Sequence, residues 1–185
     1  EPANAGLSDF GRAVIREMNR VGVIVDVAHS GWQTSLEAAR ASERPMVASH
    51  TVCGALNAHC RSKPDAVIRA IVETGGYVGI CWVPAFLGGA GDISSLLDHV
   101  QYAACAFGAE HVALGSDTAY TAAAEAEEWR KVPPRRAQRP RWESFWPPND
   151  PLFDPQWNRP EQQQSLAWTN WPLVTVGLVQ RGFSD

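Results

Sequence analysis

Two histidines, His29 and His50, each follow a run of apolar, largely β-branched residues: Val21-Gly22-Val23-Ile24-Val25-Asp26-Val27 before the first and Pro45-Met46-Val47-Ala48-Ser49 before the second. Neutral imidazole nitrogen is a favoured donor to zinc and related cations, and rigid strand ends hold such donors close together. A lone histidine at a strand end is more often structural. Two on successive strands favour a shared metal ion, because the ends of adjacent strands converge, although a zinc site needs at least a third protein ligand. Asp117 ends a further apolar run, His111-Val112-Ala113-Leu114-Gly115-Ser116. The other histidines are poorer candidates: His59 falls in a loop, His99 in mid-helix where a solvated or satisfied ring is the default, and His111 at the opposite end of its strand from the presumed site.

The elements that must position these groups alternate. Ser8 caps a helix with Phe10, Val14, Ile15 and Met18 at helical spacing, and the strand Val21–Val27 follows, apolar enough to be covered on both faces. A short helix from Thr34 to Ala41 leads to the strand Pro45–His50. A helix opening at Lys63-Pro64-Asp65 carries Val67, Ile68, Ile71 and Val72 and ends at Gly75-Gly76, before the strand Tyr77–Val83. Asp92 caps a helix running to about Phe107, and His111–Asp117 is the fourth strand. Four strand and helix alternations predict an α/β fold with a parallel sheet. Polar residues at three strand ends favour a (β/α)₈ barrel, whose active site lies at that face; such a barrel takes about 250 residues, so about four βα units amount to part of one.

Composition narrows the partners. The 185 residues are 45% hydrophobic with a formal charge of −4, which predicts one globular domain spanning residues 1–185 and no field that would gather nucleic acid. No apolar run approaches the ~20 residues of a membrane span. Cys53, Cys60, Cys81 and Cys105 form no C-x-x-C pair, as expected of buried free thiols in a reducing, cytoplasmic compartment; the chain opens at Glu1 rather than Met, which leaves room for a leader upstream. Nine of the thirteen prolines lie between Pro133 and Pro172. The stretch 118–160, rich in Pro, Trp and Arg, is therefore expected to lack regular structure and to form an ordered loop beside the site, as a lid or a homodimer contact. A last helix near Pro172–Arg181 stops at Gly182, and Ser184-Asp185 reads as the cap of a further helix, so the chain is expected to be truncated at its C-terminus as well.

The segments Val25-Asp26-Val27-Ala28-His29-Ser30, Val47-Ala48-Ser49-His50-Thr51, Cys60-Arg61-Ser62-Lys63-Pro64-Asp65 and Leu114-Gly115-Ser116-Asp117, in this order and spacing, resemble the renal or membrane dipeptidases, zinc peptidases of the amidohydrolase barrel type. Gly6–Arg12 and Gly177–Ser184 extend the resemblance. It implies two zinc ions in the intact enzyme, His29 and His50 as ligands of one, Arg61 holding the substrate carbonyl or carboxylate, and Asp117 meeting the substrate amino group or managing the proton of the metal-bound water. The substrate implied is a small dipeptide. The family's His-x-Asp pair and bridging glutamate have no counterpart here, so the resemblance implies that this chain is the C-terminal portion of such a barrel, with at most one partial zinc site. Thr118-Ala119-Tyr120 and Cys81-Trp82-Val83 also depart from the family pattern. Two alternatives stand beside this expectation: a non-catalytic half-barrel interaction module, and another amidohydrolase on the same barrel.

Overall fold

The computed structural model describes residues 4–117, 124–131 and 170–184. Helix α1 (Asp9–Val21) begins where the Ser8 hydroxyl accepts the Gly11 N–H and ends at Gly22, whose φ of 78° lets its N–H turn back to the Met18 carbonyl. Of its predicted stripe only Ile15 is buried, while Phe10 and Val14 are exposed. Helix α2 spans Trp32–Ala41. Strand β1 (Val47–Cys53) is followed by the two-residue strand β2 (Ser62–Lys63) and by α3 (Asp65–Glu73), which Pro64 opens with φ −62°. Strand β3 (Tyr77–Cys81), α4 (Pro84–Leu87), α5 (Ile93–Phe107), a 3₁₀ turn (Ala109–His111) and β4 (Val112–Gly115) complete the compact part. Further on come α6 (Glu125–Lys131) and α7 (Trp171–Gln180).

All strand pairs are parallel, in the order β2-β1-β3-β4. The sheet and its helices make the chain an α/β fold, part of a (β/α)₈ barrel. Met46, Val52, Ile68, Ile71, Val78, Ile80 and Leu96 are fully buried between strands and helices, each contributing about 1.5–3 kcal/mol of transfer free energy. Helix α2 packs on α3, and α7 on α5, where Gly177 lies against Leu97 so closely that a Cβ would fall 2.3 Å from a leucine methyl.

Several expectations are corrected. The run Val21–Val27 is not a covered strand: Val21 belongs to α1, Val23 and Ile24 are 52% and 63% exposed, and only Asp26 forms a bridge, to Val47. Backbone bonds from Val27 N to Val47 O and from Val47 N to Val25 O dock this segment on the edge of β1. Strand β1 does not stop at His50 but continues to Cys53. His111 lies in the 3₁₀ turn rather than in β4, and its Nδ1 is 2.7 Å from the Gly76 carbonyl. In α7, Val174 is the buried residue, while Leu173, Val176 and Val179 are exposed. Residues 125–131 of the predicted loop are helical; the rest of that loop, apart from Ala124, lies outside the described residues. Cys53 and Cys81 are buried, but Cys60 and Cys105 are exposed, and all four are free.

Candidate metal centre

The register of β1 on β3 explains how His50 is presented. Ala48 pairs with Val78 and Thr51 with Ile80, so three steps along β1 match two along β3. The extra residue falls at Ser49-His50, a bulge of the kind that re-aims side chains beside active sites. Regular alternation would send adjacent side chains to opposite faces. Here instead Ser49 Oγ lies 2.9 Å from His50 Nδ1. Two glycines admit this backbone: a Cβ on Gly79 or on Gly115 would lie 2.1 or 2.0 Å from the Ser49 carbonyl oxygen.

Around the bulge three groups converge. His50 Nε2 is 2.9 Å from His29 Nε2 and 3.6 Å from an Asp117 carboxylate oxygen, and one donor atom from each residue lies within 4.8 Å of the others. The two rings meet edge to face with centroids 4.9 Å apart. His29 lies in the turn that leaves the Asp26 bridge, and Asp117 stands two residues past β4 with φ 52°, a left-handed conformation that Asp tolerates better than most residues. Burial, then the Arg61 charge and the proximity of His50, hold the His29 imidazole below its ordinary pKa, against the opposing pull of Asp117 and Asp26. A neutral ring is the metal-binding form. Two imidazole nitrogens and one carboxylate oxygen within this span fit the donor set of a divalent cation of the zinc type.

Arg61 is not a surface arginine. It is buried, its guanidinium carbon lies 5.3 Å from the centre of the Phe86 ring, and its carbonyl accepts the Thr51 hydroxyl. Next to it, Lys63 is fully buried and donates to the Ser30 carbonyl; burial and the Arg61 charge lower its pKa to about 8. His99 is a satisfied core residue: its Nδ1 accepts the Cys53 N–H and its Nε2 lies 2.9 Å from the Leu87 carbonyl. His59 is likewise buried, accepting the Arg61 N–H.

Two participants do not emerge from sequence reasoning. Asp26 Oδ1 accepts the backbone N–H groups of Ala28 and Ser49, both at 3.0 Å, and its Oδ2 accepts the Ser49 hydroxyl at 2.5 Å. Burial raises the Asp26 pKa, but these hydrogen bonds outweigh it and leave the carboxyl below its ordinary value. The available signal was a charged residue inside an apolar run.

The model of the membrane dipeptidases, peptidase family M19, matches residues 1–133. The chain belongs to this family. Among its relatives, dipeptidase aclJ of Aspergillus oryzae is 36% identical over 121 residues, 63% of this chain and 29% of that protein. Dipeptidase tcpJ of Claviceps purpurea is 34% identical over 119 residues, 63% of this chain and 28% of that protein. The chain thus spans about 30% of the length of the curated relatives it matches. An amidohydrolase from Pseudomonas aeruginosa superposes with a TM-score of 0.69 at 27% identity, over 97% of this chain and 52% of that one. The dipeptidase AC, a metallopeptidase of family M19, superposes with a TM-score of 0.58 at 30% identity, over 60% of this chain and 35% of that one. A metallopeptidase from Rhodobacter sphaeroides, solved with a phosphinate mimic of L-Ala-D-Ala, shares the fold with a TM-score of 0.68 at 21% identity, over 97% of this chain and 42% of that one. Membership in a metallopeptidase family implies a metal, and the His29, His50 and Asp117 cluster is the candidate place for it among the described residues.

Proposed function

We propose that the protein containing this chain is a zinc-dependent dipeptidase, with His29 and His50 as ligands of one zinc ion and Asp117 and Arg61 as its substrate-handling groups. The observation that supports it most strongly is the convergence of two imidazole nitrogens and a carboxylate within 4.8 Å, in a chain of this family. Bound zinc supplies a water acidic enough to attack a peptide carbonyl near neutral pH. The depressed pKa of His29 keeps its ring unprotonated for that purpose. Asp117, 3.6 Å from His50 Nε2, is placed to take the proton from the attacking water or to hold the substrate's ammonium group. Arg61 offers a fixed fork of N–H donors to an oxyanion or a terminal carboxylate, and its packing near Phe86 limits the rotamers it must give up on binding.

By itself the chain is expected to hold zinc weakly and to turn over little, because it offers no counterpart of the family's His-x-Asp pair or bridging glutamate. A role for the 118–160 stretch as a lid or a homodimer contact, and a cytoplasmic location, are further parts of the proposal. Among the described residues no helix is long and apolar enough to cross a membrane. Zinc analysis of the full-length protein, with a panel of L,L- and L,D-dipeptides, tests the proposal. Stoichiometric zinc and dipeptide cleavage lost in His29→Ala are expected; a metal-free preparation that binds no added zinc would overturn it. Cleavage of acylated amines but of no dipeptide would favour the other amidohydrolase activity, to which the Pseudomonas aeruginosa neighbour lends weight.

A further inference from the structure

We infer that Asp26 and Ser49 are positioning residues for His50: the carboxylate and the hydroxyl between them place a proton on His50 Nδ1 and leave Nε2 bare for a metal ion. The inference rests on the proposal that His50 is a ligand.

The direction of the hydrogen bonds follows from which groups can donate. Ser49 Oγ owns a single proton and touches two partners, Asp26 Oδ2 at 2.5 Å and His50 Nδ1 at 2.9 Å. An ionised carboxylate only accepts, so the serine proton goes to Asp26. The serine oxygen then faces Nδ1 with lone pairs, and the contact is a hydrogen bond only when Nδ1 carries hydrogen. In a neutral ring that leaves Nε2 as an acceptor. The far side of the ring agrees: His50 Nε2 lies 2.9 Å from His29 Nε2, a separation that needs one donor, and His29 can supply it. Three hydrogen bonds therefore run one way, from His29 through His50 and Ser49 to Asp26.

The fold fixes each end of this relay. Asp26 cannot swing away without releasing the Ala28 and Ser49 backbone N–H groups, both held by its other oxygen. Ser49 and His50 meet only because of the bulge between Ala48 and Thr51. Hydrogen-bond partners of a metal-binding imidazole orient the ring and set its tautomer, and removing them typically lowers metal affinity about 10–100-fold.

The conservative variant Asp26→Asn tests the direction itself. Its carbonyl oxygen keeps both backbone contacts, while its NH₂ replaces Oδ2 and donates to Ser49 Oγ. The serine proton then turns to His50 Nδ1, the relay reverses, and Nε2 acquires the hydrogen. In the full chain without metal, long-range ¹H–¹⁵N NMR of the histidine rings reads the tautomer directly, and competition against a chelating dye reads the affinity for zinc. Expected are Nδ1–H on His50 in the parent chain, predominantly Nε2–H in Asp26→Asn with an affinity loss of about 10–100-fold, and a mixture with a smaller loss in Ser49→Ala. Nε2–H in the parent chain, or an unaltered tautomer in Asp26→Asn, would overturn the relay. Should Asp26→Asn unfold by circular dichroism, Ser49→Ala decides, and an unchanged Nδ1–H population there overturns it equally. A tautomer that switches as expected in chains that bind no zinc would keep the relay and dispose of the ligand proposal instead.

Discussion

The Asp117 carboxylate lies 3.6 Å from His50 Nε2, on a residue whose own backbone sits at φ 52°. The contact places a proton acceptor beside the nitrogen that would face the metal. The geometry permits the carboxylate two roles, ligand and proton carrier.

Asp117→Asn distinguishes them. Asparagine tolerates the left-handed backbone and keeps the shape, but it is a poor base. With Asp117 as the proton carrier, the full-length enzyme should retain its zinc and lose turnover by about 10²–10⁴-fold. Isothermal titration with zinc and steady-state dipeptide hydrolysis are the two measurements, and a parallel loss of zinc would make Asp117 a ligand.

Gly115→Ala should disturb the site from behind. The new methyl would fall 2.0 Å from the Ser49 carbonyl oxygen and 3.0 Å from His50 Cα and Cβ. Strand β1 must shift, with an expected stability loss of about 1–3 kcal/mol and a weaker zinc site. Gly22→Ala is the control. Its φ of 78° also strains alanine, but nothing lies within 4 Å of the added Cβ, so stability falls while zinc binding holds. Thermal melts and zinc titrations of both variants check the contrast.

Lys63 should give stability a pH dependence above neutrality. Its folded pKa is about 8 against an ordinary 10.5, with burial as the first cause and the Arg61 charge as the second. Between these values the unfolded chain binds more protons than the folded one, so stability rises with pH from about 8 to about 10.5. Below pH 8 both states are protonated and the group adds no slope. Urea titrations across this range should show the rise in the parent chain, and Lys63→Met should remove it.

His99 should matter for stability and not for zinc. Phenylalanine at this position fills similar space but deserts the Cys53 N–H and the Leu87 carbonyl, at a cost of about 1–3 kcal/mol for each orphaned group. A lower melting temperature with an unchanged zinc titration is the expected result.

The sequence signals that held were local ones. Ser8 and Asp92 cap their helices through the contacts their side chains were expected to make, and Pro64 opens α3. His29, His50 and Asp117 do converge, although His50 lies inside β1, His29 in the turn after the Asp26 bridge and Asp117 two residues past β4. What was not legible depends on partners distant in the chain. Val23 and Ile24 have strand-forming side chains, yet neither is covered, and Gly22 had already closed α1 at Val21. Propensity cannot report whether a neighbouring strand is present. Nor could spacing reveal that β1 runs on past His50, because a bulge is a mismatch between two strands and leaves no mark on either alone. The roles of Asp26 and Ser49 were hidden for the same reason. Arg61 was marked by its motif, but its burial near Phe86 depends on a helix more than twenty residues away.

The bulge in β1 sets sheet regularity against chemistry. Removing one residue at Ser49-His50 would let β1 and β3 match step for step, and the strand would gain an uninterrupted ladder. The same deletion would take away either the hydroxyl or the imidazole, while the residues on both sides of the gap kept their present partners on β3. A chain shortened in this way could fold as well as its parent or better and still be chemically blind, so the length of this strand is as much a part of the site as the residues in it.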